Sequence, residues 1–333
     1  MNNFKKVGLT ALAGSLAAIS AHAAEMSVNG ASVLTYTNKG DSEVTGNPMG
    51  MKTNLSFTAS GEVNGYTVSY MQTSADQFAG MSSARLSVDL GDMGTVAFDQ
   101  GSGSGLKTID DKTPTAAEEI WDNLDGGGAS AKSVGGLVGA AGSSGVFNYV
   151  NTFAGFGVNA AARKGSGTSS KDGASSGAGG GAWDLAITNG SMIDGLNIGT
   201  GYGEADSGDF NGAGNKGVDI HMTAFFNYAV GPVSFGFQHS DISLGGVGKS
   251  DEIADAWGLA FNINENLSVS YGEREVEYDK ASGTNITEDG DGFAVAYTMG
   301  SVKVTGNRNE VTNNGGVTTA SDESTEIAVS FAF

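Results

Sequence analysis

The chain has no cysteine, and only three prolines and three histidines, in 333 residues. Without cysteine there are no disulfides, no thiolate ligands for zinc and no thiol nucleophile. Cationic residues are also scarce: 17 Lys and Arg face 37 Asp and Glu, for a formal charge of −20. No basic surface of the kind that grips nucleic acid can be assembled from that balance. Beyond the first 23 residues, no apolar run approaches the roughly 20 residues of a membrane-spanning helix. What is abundant is glycine, with 54 copies, a composition suited to twisted strands and long loops.

Residues 1–23 read as a secretory signal. Lys5 and Lys6 form a basic start, an apolar stretch follows from Val7 to Ile19, and Ala21-His22-Ala23 is a processing site of the A-x-A kind. The exported chain is expected to begin at Ala24. Processing removes two lysines and no acid, which leaves a formal charge of −22.

Read with a period of two, residues 24–333 resolve into short strands joined by two kinds of connection. Tight turns fall near residues 63–65, 91–94, 153–155, 193–195, 230–232, 264–266 and 299–301. Longer polar segments fall near 38–50, 73–80, 101–145, 164–181, 205–216, 241–252, 279–290 and 311–323. Seven turns alternating with eight loops imply sixteen strands, with both chain ends on the short-turn side. One face of each strand is apolar, as in Trp183, Leu185 and Ile187, or Val233, Phe235 and Phe237, or Phe293, Val295 and Tyr297.

A β-sandwich would also alternate in this way. Aromatics near strand ends and a strict short-long order of connections favour instead a transmembrane antiparallel β-barrel. Its strands are too short and too mixed to register as apolar runs. The segment "STEIAVSFAF" would then close the barrel against residues 26–37, because a sheet in hydrocarbon cannot leave an open edge.

The processed signal, the sixteen strands, the terminal Phe333 and the stretch "GDMGTVAFDQG" before a long third loop together resemble the Gram-negative general porins, of the alphaproteobacterial kind. The resemblance covers all of residues 24–333. It implies an outer-membrane location, contact with lipid and lipopolysaccharide, and a homotrimer of water-filled barrels. It also implies that Phe331 and Phe333 form the closing strand's signal to the barrel-assembly machinery, and that the loop at 74–80 is a trimer latch. The third loop, about 101–145, would fold into the lumen and narrow it. Its acids, Asp110, Asp111, Glu118, Glu119, Asp122 and Asp125, would face basic residues across the opening.

Strand parity nominates Arg85, Arg163, Arg274, Lys303 and Arg308 for that opposing wall. Within the loop, Thr113-Pro114 is a helix start, Glu118 and Glu119 suit its first turns, and a short helix is expected to about residue 124. Trp121 is expected to wedge the loop against the wall. The expected activity is passive diffusion of ions and small hydrophilic solutes, weakly cation-selective because of the net charge.

Enzymatic chemistry lacks its usual parts. His221 and His239 have opposite parity and cannot form a dyad. The string "GSGSGLKT" has leucine where a phosphate loop needs glycine before its lysine. No cofactor is expected beyond weak calcium binding at Asp289 and Asp291, where "TEDGDGF" lacks the spacing of an EF-hand. An adhesive or structural barrel, or one with a loop-borne active site, is the alternative reading.

Overall fold

A computed structural model of the protein describes residues 25–39, 47–74, 80–124, 139–142, 144–165, 179–209, 216–245 and 250–333. The expected signal segment, Asp125 and most of the expected latch at 74–80 lie outside these residues. The first eight strands are β1 (Glu25–Lys39), β2 (Met49–Val63), β3 (Tyr66–Ser74), β4 (Met81–Asp89), β5 (Thr95–Gln100), β6 (Ser144–Phe153), β7 (Phe156–Gly165) and β8 (Gly179–Asn189). The second eight are β9 (Leu196–Asp209), β10 (Lys216–Val230), β11 (Val233–Ser243), β12 (Ser250–Asn262), β13 (Leu267–Lys280), β14 (Ile286–Met299), β15 (Val302–Thr312) and β16 (Ser321–Ala332). Each pairs antiparallel with its neighbours in sequence, and β16 pairs with β1, so the sheet is a closed barrel without edges. At the seam Gly30 and Phe333 exchange backbone hydrogen bonds of 2.9 and 3.0 Å.

All seven expected turns are in place. Asn64 and Gly65, with φ of 53° and 84°, make the two-residue hairpin whose twist matches the flanking strands. Two long connections are shorter than their polarity suggests. Strands β13 and β14 leave only residues 281–285 between them, and β15 and β16 only 313–320. Their outer ends carry acids on the barrel's outside, so they read as loop by composition while pairing as strand.

Side chains of one parity face outward in apolar rows, which period-two geometry requires. Phe226, Phe235, Leu259, Tyr271, Phe293, Ile327 and Phe331 are all exposed there. Aromatic pairs cross neighbouring strands, including Trp183 with Tyr202 and Trp257 with Tyr271, at 5.7 Å between ring centroids in each case. Such a wall is matched to hydrocarbon. No helix of the described residues is long and apolar enough to cross a membrane.

The expected helix at 113–124 does not form; the segment is a succession of bends and turns. Among the described residues the helical elements are three short 3₁₀ turns, at Gly91–Met93, Gly105–Thr108 and Asn314–Gly316. Local propensity is overridden because the loop's backbone groups find partners on the barrel wall.

Candidate functional site

The third loop leaves β5 under the control of Asp99, a fully buried carboxylate. It accepts hydrogen bonds from the Ser102 backbone at 2.9 Å and the Ser104 hydroxyl at 2.7 Å. Arg85, on the lumen face of β4, donates to the Gly103 carbonyl at 3.2 Å and to Asn148 on β6. The chain then runs along the inside of the wall. Leu106 and Ile109 pack with Ala186 and Phe225, and a side chain such as Leu106, fully buried, contributes about 1.5–3 kcal/mol.

Asp184 on β8 holds both arms of the loop. One oxygen accepts the Leu106 N–H at 3.1 Å on the outgoing arm, and the other accepts the Ala141 N–H at 2.7 Å on the returning arm. Gly105 permits this, because it has φ +58° and any Cβ there would overlap the carboxylate. Arg163 on β7 donates to the Ala141 carbonyl at 2.6 Å.

Farther along, polar wall side chains take over the backbone bonds that a helix would have made for itself. Gln238 on β11 accepts from Lys112 N–H at 2.6 Å and donates to the Ile109 carbonyl at 2.9 Å. Ser270 on β13 accepts from Ala116 N–H at 2.8 Å. Asn309 on β15 donates to the carbonyls of Glu119 and Asp122 at 3.1 and 2.9 Å. Beneath this stretch lies a row of facing glycines, Gly236, Gly258, Gly272 and Gly292, paired side by side across β11 to β14. A Cβ at Gly258 would stand 2.6 Å from the Pro114 carbonyl, and one at Gly292 would stand 2.9 Å from Ile120. The absence of side chains there lets the loop lie directly on the strands.

At the loop's far end, Trp121 and Leu124 pack with Val311. The Arg274 guanidinium stacks on Trp121 at 5.3 Å from the ring centroid and forms a buried ion pair with Glu288, which also accepts from the Tyr278 hydroxyl at 3.1 Å. Hydrogen bonds and stacking of this kind explain the wedge position expected for Trp121.

The acids are distributed unevenly. Asp110 pairs with Lys107 at 2.8 Å within the loop. Glu118, Glu119 and Asp122 converge, each offering a carboxylate oxygen within 4.8 Å of the others. Burial, with Asp110 and Glu119 close by, pushes Asp111 up to about 6. Burial, a hydrogen bond that protonated Asp122 donates to Glu118, and the nearby charge of Glu119 push Asp122 up to about 8.

The nominated cations do not form one opposing wall. Arg85, Arg163 and Arg274 face the lumen, but they are anchors for the loop. Lys303 faces the lumen next to the turn at the start of β15, near the short-turn rim. Arg308 is on the outside, where it pairs with Glu310 and Glu323, the latter at 2.9 Å. Two residues five apart on one strand point to opposite faces, so Lys303 and Arg308 could not share a side. The tract Gly306-Asn307-Arg308-Asn309 is polar at both parities, which hid the error.

Asp289 and Asp291 also lie outside, on β14, where Glu275 and Glu273 stand opposite them on β13. They belong to a strand and not to a calcium loop. His221 and His239 are on opposite faces, and His239 pairs with Asp255 at 2.7 Å on the outside.

Parity did hold one further signal. Lys52 on β2 alternates with Met49, Met51 and Thr53 and faces the lumen, exposed, on wall that the described part of the loop leaves bare. Asp184, Gln238, Asn309 and the glycine row carried no local signal, because each matters only through the register that aligns it with the loop.

No family model and no curated protein matches the chain. Its fold is similar to solved outer-membrane structures. A loop-deletion form of OmpT, an outer membrane protein of Vibrio cholerae, superposes with a TM-score of 0.65 at 13% identity, covering 93% of this chain and 100% of that one. A porin refined at 1.8 Å gives 0.65 at 15% identity, with coverage of 93% and 100%. An anion-selective porin from Comamonas acidovorans gives 0.60 at 12% identity with the same coverage. At these identities the likeness is one of fold.

Proposed function

We propose that the protein is an outer-membrane porin through which ions and small hydrophilic solutes diffuse passively. The observation that carries this reading is the third loop, bound along the lumen wall from β7 to β15 by hydrogen bonds from side chains of five strands. A loop held inside a barrel narrows it on one side and leaves an opening on the other. Water and solutes would pass between the loop's acids and the uncovered wall around β1 to β3, where Lys52 stands. The selectivity expected from the excess of acids is weakly cationic.

The similar folds are those of porins and outer membrane proteins, and one OmpT structure is described as a trimer form. That supports a homotrimer in the outer membrane, with lipid and lipopolysaccharide around its apolar rows. Export would rest on residues 1–23, and assembly on the closing strand with Phe331 and Phe333. Porins of this kind need no cofactor and catalyse no reaction.

The test is single-channel recording of the purified protein in a planar bilayer across a salt gradient. Open steps in threes, with a reversal potential of the cation-selective sign, are expected. Insertion without conductance would overturn the channel reading and favour an adhesive, structural or loop-borne enzymatic role.

A further inference from the structure

The geometry points to a lipid site on the barrel's outer surface across β8 to β11, where an apolar cleft takes an acyl chain and an acidic end takes a head group that carries an amine. A row of outward side chains crosses these strands in register. Ile187 is opposite Thr200, Thr200 opposite Ala224, Ala224 opposite His239, and His239 opposite Asp255 on β12. The middle two are small, while Met222 and Phe226, two residues either side of Ala224 on β10, are large and exposed. The row therefore sinks into a cleft of about 390 Å³, walled by Leu185, Tyr202 and Met222. That volume is at the lower end of the roughly 300–1,000 Å³ of small-ligand sites. The Thr200 hydroxyl donates to the Thr223 carbonyl at 3.0 Å, so the floor asks for no polar partner from an occupant.

The cleft ends where aromatic and acidic groups meet. The Tyr202 hydroxyl donates to Glu204 at 2.7 Å, and on the neighbouring strands the Trp257 ring N–H donates to Glu273 at 3.2 Å. Tyrosine and tryptophan tips of this kind mark the boundary between hydrocarbon and head groups. The floor is thus on the side of the acyl chains, and His239, Asp241 and Asp255 are on the side of the head groups.

Charge selects the head group. His239 and Asp255 are 2.7 Å apart, and Asp241 makes no ion pair among the described residues. Two carboxylates therefore share at most one positive charge, and Glu275, opposite Asp255, adds a third acid to the same row. This set repels a phosphate that arrives alone, whereas a primary amine can donate charge-assisted hydrogen bonds to it. The occupant is a membrane lipid with an amine in its head group. The inference rests on the barrel spanning a membrane, and not on its conducting ions.

The experiment is native mass spectrometry of the detergent-solubilised protein, titrated with phosphatidylethanolamine, phosphatidylcholine and phosphatidylglycerol of identical chains. Saturable binding of phosphatidylethanolamine is expected, with the other two about tenfold weaker for want of a primary amine. Ala224→Phe and Thr200→Leu each fill the cleft and should abolish that binding. Asp241→Asn with Asp255→Asn keeps the cleft and should lower the affinity for phosphatidylethanolamine to that for phosphatidylcholine. Leu86→Ala, exposed on β4, should change nothing. Equal retention of the three lipids by the parent, a preference for phosphatidylglycerol, or unchanged binding by both cleft-filling variants overturns the site. Selective lipid retention by a barrel that does not conduct would uphold the site while sinking the channel reading.

Discussion

Replacing Asp184 by alanine should loosen the third loop without unfolding the barrel. The carboxylate accepts one N–H from each arm, at 3.1 and 2.7 Å, in a site that is 1% exposed. Removing it leaves two buried N–H groups unpaired, at about 1–3 kcal/mol each. The combined loss, about 2–6 kcal/mol, is roughly a 30-fold to 10⁴-fold increase in the population with a detached arm. Part of this is offset because a buried carboxylate no longer has to be desolvated. The barrel itself should survive, since its sixteen strand pairings are untouched. Asp184→Asn keeps the volume and one acceptor, and should fall between parent and alanine variant. Two assays read the effect: open-channel current noise with mean conductance, and protease sensitivity of the loop in the folded barrel. Both should rise in the order parent, Asn, Ala. If Asp184→Ala shows the parent's conductance, noise and protease resistance, the two-armed clip does not hold the loop.

Gly258→Val should enlarge conductance and lower loop protection, because its side chain would occupy the space of Pro114; a change confined to thermal stability would argue against direct contact. Asp122 and Asp111, pushed up to about 8 and about 6 from an ordinary 3.8, bind protons more tightly folded than unfolded. Loop attachment should therefore weaken as pH rises from about 4 to about 8, and cation selectivity should strengthen as the two groups ionise. A reversal potential that is flat from pH 5 to 9 in chelator would refute this. Arg308→Ala should leave conductance and selectivity unchanged, since the side chain is outside the barrel; a clear shift in reversal potential would place it in the lumen after all.

The barrel was legible because its signals are local. Turn residues such as Asn64-Gly65 report their own backbone geometry, and alternation such as Val233, Phe235 and Phe237 reports a face within five residues. Where both parities turn polar, as after Gly306, the phase of the strand is lost, and Arg308 was assigned to the wrong side. The helix expected at 113–124 failed for a different reason. Backbone groups of that segment are bonded instead by Ser270 and Asn309, residues that are up to 190 positions away in sequence. Similarly, composition marked 279–290 as loop because its outer ends are acidic, yet a strand that rises above the apolar rows can carry charge on both faces. The site depended on register throughout. Neither Asp184 nor Gly272 is unusual until the strands are set side by side.

The glycine row on β11 to β14 has a consequence for how such a channel could diversify. Over that arc the barrel presents bare peptide backbone, so a passing solute would meet the loop there and not the strands behind it. Substitutions in residues 110–122 could then reset the chemistry of one side of the passage while every strand pairing stayed as it was. The opposite side, where Lys52 projects, would change only through the strands themselves. Two sides of one opening would thus answer to different constraints, the first free to follow the surroundings and the second bound to the architecture.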